Sequence, residues 1–254
     1  MRTSLSIRFC AGAVLVAAAF GAQAATMNLT GYKFSANTVN ATYPAFAPLA
    51  SGGTYNGGAG GFTGSLAASE IAGLDGSIDT YCVQLGEYFS PGTSYSNYTV
   101  VNAAGYFTPD GIDRSARLAK LFSYVVDQNL FNVVAADKKD ELSTAIQLAV
   151  WEIKYETDLA AVNLSAGVFN STTTAITGAT FAANGFYGAN QLLSLSSTAA
   201  VTQNVYVLQS IGNPGQQDQV FWRSNRVPEP GSVTLAMLAF AAAGVATTRR
   251  RAKA

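Results

Sequence analysis

Apolar residues recur at helical spacing in two stretches near the middle of the chain. Residues 114–130 repeat them at i, i+3, i+4, i+7 and i+8, which is the spacing of one buried helix face: Leu118, Leu121, Phe122, Val125 and Val126. Residues 137–158 repeat a similar pattern with Leu142, Ala145, Ile146, Ala149, Val150 and Ile153. Acidic side chains at 137, 140 and 141 favour a helix start there. The pattern predicts two prominent amphipathic helices.

The second predicted helix carries another row of side chains beside its apolar stripe. Gln147 and Trp151 are four residues apart and therefore stack along one face, and Thr144 and Tyr155 extend the row. Packing alone does not require a glutamine followed one turn later by a tryptophan. We therefore interpret the row as a surface that faces a particular partner group.

Alternating apolar and polar positions predict strands on both sides of these helices. The strand-like segments are residues 27–34, 76–85, 95–101, 201–210 and 219–223. Glycine dominates residues 51–64, which predicts a flexible loop or a glycine-studded hairpin, and the small polar residues of 165–200 predict loops and short irregular elements. We predict an α+β fold, mainly antiparallel β-sheet or sandwich with two prominent amphipathic helices.

The first residues have the pattern of a secretory signal peptide. Arg2 and Arg8 precede an apolar stretch over 9–20, and Ala22-Gln23-Ala24 is an A-x-A cleavage pattern. We expect residues 1–24 to be removed, together with Cys10, and the mature protein to be exported across the inner membrane. Cys82 is then a single cysteine in an oxidising compartment, where it has no partner for an internal disulfide.

The last residues combine a short motif, an apolar run and a basic cluster. Val227-Pro228-Glu229-Pro230 precedes the run 232–246, which predicts a minimal C-terminal transmembrane helix. Four cations follow, Arg249, Arg250, Arg251 and Lys253, and they would hold the tail on the cytoplasmic side as an anchor. Residues 227–254 resemble the PEP-CTERM sorting signal of Gram-negative bacteria. The resemblance implies an exosortase as processing partner, transient membrane anchoring, and delivery to the cell surface or extracellular matrix. A plain membrane anchor is the alternative.

Composition limits the kinds of binding and catalysis that the rest of the chain, residues 25–226, can perform. It holds nine basic and 14 acidic residues without a basic cluster, so it is mildly acidic and nucleic-acid binding is disfavoured. The chain has no histidine, which excludes Ser-His-Asp and Cys-His catalysis and leaves too few ligands for a zinc site. We expect no cofactor and no metal. Paired carboxylates, Asp75 with Asp79 or Glu152 with Glu156, are the remaining route to a hydrolase.

The residues around Cys82 and Gln147 carry a second resemblance. Tyr81-Cys82-Val83 followed by Ile146-Gln147-Leu148-Ala149-Val150-Trp151 resembles the thioester domains of bacterial surface adhesins, in which threonine usually precedes the glutamine. The resemblance implies that the Cys82 sulfur attacks the Gln147 carboxamide, releases ammonia and leaves an internal thioester. It assigns Tyr81 and Trp151 to the wall that shields the bond from water.

These observations predict a non-enzymatic surface protein. In one hypothesis it attaches covalently, through the Cys82–Gln147 thioester, to an extracellular polysaccharide or another surface polymer with amine or hydroxyl groups. In the second it is an inert structural protein of the matrix or biofilm, with Cys82 a buried small hydrophobe, Trp151 a core anchor and Gln147 a polar residue at the helix edge. A carboxylate-type extracellular hydrolase ranks last.

Overall fold

Six antiparallel strands close into a barrel in the computed structural model, which describes residues 24–44, 52–88, 90–107, 112–172, 188–212 and 216–225. Neighbours around the barrel are β1 (Ala25–Tyr32), β4 (Phe62–Ala67), β5 (Gly76–Cys82), β9 (Gln219–Ser224), β8 (Gln203–Ser210) and β6 (Ser94–Asn102), which returns to β1. A separate antiparallel sheet has the order β3 (Gly53–Ala59), β2 (Asn37–Tyr43) and β7 (Asn170–Ser171). The predicted α+β class with antiparallel strands is confirmed, and its sheet is a barrel where a sandwich was an option.

Helices cover the barrel on one side. They are α1 (Ala103–Phe107), α2 (Arg114–Asp127), α3 (Leu130–Val133), α4 (Lys139–Tyr155) and α5 (Ala189–Ser196), with a 3₁₀ turn, Ala136–Lys138, before α4. The two predicted helices correspond to α2 and α4. Helix α2 ends earlier than predicted because Asn129 adopts a left-handed φ of 51°. Among the described residues, no helix is both long and apolar enough to span a bilayer.

Cross-strand register decides which side chains enter the barrel. Met27 lies opposite Leu66, and Leu29 lies opposite Gly64, which in turn faces Ile78. The side chains of Met27, Leu29, Leu66 and Ile78 are all buried and lie on one face of the sheet. The opposite face of β5, β8 and β9 packs against α2, whose Ser123 hydroxyl accepts hydrogen bonds from the main chain just before β8.

Helix α4 is buried on all sides, from Leu142 to Tyr155, although its sequence predicts one apolar stripe. It lies against β5, the β3-β2-β7 sheet, α2 and α5, so its polar side chains also need partners in the interior. The main chain at the end of the helix has a partner as well, the buried Arg114 guanidinium. It donates to the main-chain oxygens of Lys154 and Glu156 at 2.8 Å each, at the helix C-terminus where carbonyls lack intrahelical partners.

Three segments differ from their sequence-based predictions. Within 51–64, predicted as a flexible loop or glycine-studded hairpin, residues 53–59 form β3 and residues 62–64 begin β4, and residues 37–43 form the unpredicted strand β2. Tyrosine rings compensate for the missing glycine side chains: a Cβ at Gly53 would lie 2.7 Å from the Tyr43 hydroxyl oxygen. The predicted irregular region 165–200 contains α5, which buries Ala189, Leu192, Leu193 and Ser196 at helical spacing. Residues 173–187 lie outside the described part of the chain.

The close contact of β4 with β1 gives a stability prediction. A Cβ at Gly64 would lie 2.1 Å from the Asn28 carbonyl oxygen and 2.8 Å from the Leu29 Cα, both rigid main-chain atoms. We expect Gly64→Ala to lower the free energy of unfolding by at least about 2 kcal/mol, measured by urea denaturation. Gly31→Ala on β1 is the matched control, because a Cβ there meets no atom within 4 Å. Equal unfolding midpoints for the two variants would contradict this account.

Candidate functional site

Cys82 ends β5 inside the core of the molecule. It lies opposite Gln219 of β9, and the pairing continues one residue further because the Val83 N–H donates to the Asp218 carbonyl oxygen at 2.9 Å. Cys82 is a free cysteine and is 5% exposed. Strand alternation places its sulfur on the same face as Thr80, which faces the barrel interior.

The sulfur contacts two glutamines that precede or begin β9. The thiol donates to Gln217 Oε1 with an Sγ–O distance of 2.9 Å, and Gln219 Nε2 donates to the sulfur at 3.5 Å. Because a carbonyl carbon lies about 1.2 Å from its oxygen, the Gln217 carboxamide carbon is within about 4 Å of the sulfur. The reacting distance for a bond-forming attack is about 3–3.5 Å. The structure therefore shows a hydrogen bond to the carbonyl oxygen, and attack on the carbon would need the sulfur to move from this position to one above the carbonyl plane.

Hydrogen bonds hold the Gln217 carboxamide in this position. Its Nε2 donates to the Gln84 carbonyl oxygen, and its own main-chain oxygen accepts from the Tyr98 hydroxyl at 3.0 Å. The Gln84 side chain binds the neighbouring residue, because its Oε1 accepts a hydrogen bond from the Asp218 N–H at 3.0 Å. Gln219 is fixed from β5, where the Thr80 hydroxyl donates to its Oε1 at 3.2 Å. The carboxamides around the thiol are thus fixed by named donors and acceptors.

Asp218 anchors the segment that carries these glutamines. Its carboxylate accepts a hydrogen bond from the Tyr106 hydroxyl at 2.6 Å and another from the Ser210 N–H at 2.8 Å. Burial raises the pKa of Asp218, and these two hydrogen bonds and the nearby Lys154 cation act in the opposite direction. The carboxylate therefore ties β9 to β8 and α1 on the side next to Gln217.

The structure brings Gln147 to Cys82, but to its main chain. Gln147 Oε1 accepts from the Cys82 N–H and Gln147 Nε2 donates to the Cys82 carbonyl oxygen, both at 2.8 Å. The last residue of β4 paired with β5 is Phe62, opposite Thr80, so no β4 residue pairs with Cys82. The Gln147 carboxamide fills this place and pairs with Cys82 as a neighbouring strand would. The structure thus brings Gln147 to the Cys82 main chain, while the hydrogen bonds of the sulfur go to Gln217 and Gln219; the predicted bond between the sulfur and Gln147 stays a prediction.

The rest of the Gln147 row makes similar contacts with the main chain. The Thr144 hydroxyl lies 2.8 Å from the Ala59 carbonyl oxygen, to which it can donate, and accepts from Asn37 Nδ2 at 3.0 Å. At the other end of α4, the Tyr155 hydroxyl oxygen accepts from the Leu85 N–H at 2.9 Å. The row faces partner groups, as the spacing indicates, but those partners are main-chain atoms of strand ends in the interior.

The two predicted shielding residues lie in different places. Trp151 is 1% exposed, follows Gln147 by one helical turn, and packs edge-on against Tyr55 with ring centroids 5.3 Å apart. Its place in the core is compatible with a shielding role, which stays a prediction. Tyr81 faces away from the sulfur because it neighbours Cys82 along the strand, and its ring packs against Phe122 and Trp222. Tyr81 thus lies on the other face of β5 from the sulfur, and its predicted shielding role stays a prediction.

Sequence reasoning missed four residues around the thiol: Gln84, Tyr98, Gln217 and Gln219. Gln219 begins the predicted strand 219–223, and Gln217 lies two residues before it. Residues two apart share a face where a strand continues, so the spacing indicates a common direction for the two side chains only if the strand extends to Gln217. Their proximity to Cys82 could not be read from the sequence, because it depends on β5 pairing with β9 across more than 130 residues.

The electrostatics around the thiol favour its neutral form. Burial raises the pKa of Cys82 to about 12, although the hydrogen bond from Gln219 opposes that shift. The side chains that contact the sulfur are uncharged carboxamides. At neutral pH the group is a protonated thiol that donates its hydrogen to the carboxamide oxygen of Gln217.

The candidate carboxylates of a hydrolase have other partners. Asp75 accepts from the Ser69 N–H, and Asp79 pairs with Lys33. Glu152 accepts from the Asn163 N–H at 2.6 Å, while Glu156 accepts from the N–H groups of Thr157 and Val168 at 2.8 and 2.9 Å. These two carboxylates hold the loop that follows α4. Within the residues described, no cluster of three or more metal-ligating side chains occurs.

Comparison with known proteins gives no assignment: no protein-family model, curated protein or solved structure matches the chain. The resemblances to PEP-CTERM signals and thioester domains therefore stay predictions. The signal peptide, the Val227-Pro228-Glu229-Pro230 motif, the transmembrane run and the arginines at 249–251 lie outside the described residues.

The Gln147 contacts give a second stability prediction. Gln147→Leu keeps the side chain's approximate size but leaves the buried Cys82 N–H and C=O without their partners. We expect a loss of about 2–5 kcal/mol in the free energy of unfolding, since each buried unsatisfied group costs about 1–3 kcal/mol. Urea denaturation measures it, and Gln209→Leu on exposed β8 surface is the control. A variant as stable as the control would show that the paired carboxamide does not support the fold.

Glu152 gives a prediction of pH dependence. Burial raises its pKa from the ordinary 4.5 to about 8, so the folded state holds a proton that the unfolded chain releases at lower pH. The stability that Glu152 contributes is complete below about pH 4.5 and is lost as the pH rises towards 8, by about 1.4 kcal/mol for each pKa unit. Unfolding free energies of wild type and Glu152→Gln, measured from pH 5 to 8, should diverge in favour of the variant. Parallel curves would contradict the shift.

Proposed function

We propose that the chain is an exported surface or matrix protein of a Gram-negative bacterium, and that its Cys82 forms an internal thioester with Gln217. The observation that carries the proposal is the 2.9 Å contact between the Cys82 sulfur and Gln217 Oε1 inside a buried, carboxamide-lined site. Export, processing by an exosortase and transient anchoring through the C-terminal helix rest on the sequence patterns at the two ends of the chain.

Formation of the bond needs no cofactor. The sulfur of Cys82 attacks the carboxamide carbon of Gln217, a carbon–sulfur bond replaces the carbon–nitrogen bond, and the thiol proton leaves with the nitrogen as ammonia. Gln217 is the better acyl donor of the two candidates because the contacts of its carboxamide include the sulfur itself. Both ends of the Gln147 carboxamide instead bind the Cys82 main chain, and this fixes the position of the cysteine.

The bond would store reactivity for attachment. An amine or hydroxyl of an extracellular polysaccharide or another surface polymer attacks the thioester carbonyl, which forms an amide or ester at Gln217 and returns the Cys82 thiol. Water must be kept out until the polymer arrives. Cys82 and Gln217 are 5% and 7% exposed, and the buried Tyr98 donates a hydrogen bond to the Gln217 main-chain oxygen. This burial supports a bond that survives in water.

An inert structural role is the second candidate, and one observation favours it. The pKa of the Cys82 thiol is raised to about 12, so almost no thiolate exists at neutral pH. A cysteine of this kind can persist as a small buried apolar residue of a matrix protein. The two candidates differ in whether the purified chain contains the bond.

Intact-mass measurement of the exported protein separates them. We expect a mass lower by one ammonia than the sequence requires, with the full mass restored in Cys82→Ala and in Gln217→Glu, which has no amide nitrogen to lose. Exposed Gln209→Glu is the matched control and should keep the deficit. Incubation with methylamine should add one methylamine to Gln217 and release one titratable thiol.

Peptide mapping then identifies the acyl donor. A cross-link between the peptides that contain Cys82 and Gln217 is expected, and a cross-link to Gln147 would overturn the assignment of Gln217. The inert role predicts the full mass and a thiol that reacts with an alkylating reagent only after unfolding. That result would end the proposal of covalent attachment.

A further inference from the structure

The outer face of the β3-β2-β7 sheet is an array of amides and hydroxyls. Along β2 the exposed residues are Thr38, Asn40 and Thr42, and along β3 they are Thr54 and Asn56. Register sets Asn40 opposite Asn56, and Thr42 between Thr54 and Asn170 of β7. The alternate residues point inward, where Tyr55 packs against Trp151 and Tyr43 against Tyr155. The core therefore needs the inward-pointing residues and does not explain the outward-pointing ones.

This outer face is concave and uncharged. A depression of about 290 Å³ is lined by Asn40, Ala41, Thr42, Thr54, Tyr55, Asn56, Asn170 and Thr172. Its lining includes no acid and no base, which differs from the depressions beside Trp222, where Asp127, Asp79 and Arg223 contribute. A carboxamide offers two donors and an acceptor oxygen, and a hydroxyl is both donor and acceptor. The face thus offers both kinds of hydrogen-bonding group at strand spacing, about 4.8 Å between strands.

Hydrogen bonds also hold the array in place. Asn56 Nδ2 donates to Asn40 Oδ1 across the two strands. Main-chain contacts fix the third strand beside them: the Ser171 hydroxyl donates to the Asn40 carbonyl oxygen at 2.8 Å, and the Thr172 N–H donates to the same oxygen at 3.2 Å. A ligand would therefore meet polar groups that are already ordered, which lowers the entropy cost of binding.

The chemistry of the face selects the class of ligand. Phosphate- or carboxylate-bearing polymers are bound through cations, and the lining contains none. An apolar partner would leave these amides and hydroxyls without water or other hydrogen-bonding partners. A neutral, polyhydroxylated chain matches the mixture of donors and acceptors. We propose that this face is a non-covalent binding site for a neutral polysaccharide, separate from the thioester site and independent of whether that bond forms.

Affinity electrophoresis of the full chain tests the proposal. The gels contain hydroxyethylcellulose or galactomannan as neutral probes, or alginate as the anionic probe. We expect the neutral probes to retard the wild type and alginate to leave it unretarded. The double variant Thr54→Ala/Asn56→Ala should weaken retardation at least about fivefold, because it removes two of the hydrogen-bonding side chains that line the depression. Thr38→Ala is the matched control, since Thr38 is exposed on the same face but outside the depression.

Each alternative result overturns the proposal. The proposal is wrong if neither neutral polymer retards the wild type or if alginate retards it more strongly. It is also wrong if the control and the double variant lose retardation equally. Urea denaturation of the double variant checks that the fold is intact. The double variant and the Thr38→Ala control are also compared in the Cys82→Ala background, which cannot attach covalently; retardation by the neutral probes should persist there, and its loss would overturn the proposal of a separate non-covalent site.

Discussion

The contact between Gln147 and the main chain of Cys82 is the constraint on which the site depends. Strand β4 stops pairing with β5 at Thr80, which leaves the N–H and C=O of Cys82 in the interior with no strand beside them. Buried main-chain groups must be paired, and one carboxamide supplies the donor and the acceptor together. Because Gln147 belongs to the buried helix α4, this contact sets the distance between the helix and the end of β5.

The Cys82 main chain is held by Gln147 on one side and lies in register with Gln219 of β9 on the other. Strand alternation sets the face of the sulfur, and Gln217 contacts it there. The neighbourhood is polar but uncharged, which keeps a thiol protonated and an amide carbonyl polarised. The proposed thioester forms once in the life of the molecule, and its formation does not call for a group that activates the nucleophile repeatedly.

The sequence predicts much of the fold and part of the site. The helices α2 and α4 and the strands β1, β5, β6, β8 and β9 follow from apolar periodicity, because their core residues recur at regular spacing, although α4 proves to be buried on all sides. Strand β2 was missed since its outward positions are Asn and Thr, residues that also populate turns, and α5 was missed because serines dilute its apolar face.

The site shows a different limit of sequence reasoning. The sequence places Cys82 near Gln147 correctly, but a glutamine beside a cysteine can bind either its main chain or its sulfur. The choice depends on where a neighbouring strand ends, which is a property of the tertiary structure. For the same reason Gln217 could not be recognised in advance, and its spacing from Gln219 indicates a shared face only if the strand extends to Gln217.

Gln217 immediately precedes β9, and this position has a mechanical consequence. A polymer joined to Gln217 would be connected to the C-terminal tail by the few residues that run from Gln217 through Ser224, and not by the helices or the other strands. Tension between the polymer and the tail would act along this short covalent segment, so the barrel could lose its packing under load without the tether breaking. An acyl group on Gln147 would instead route the same force through α5, β8 and the loops between them.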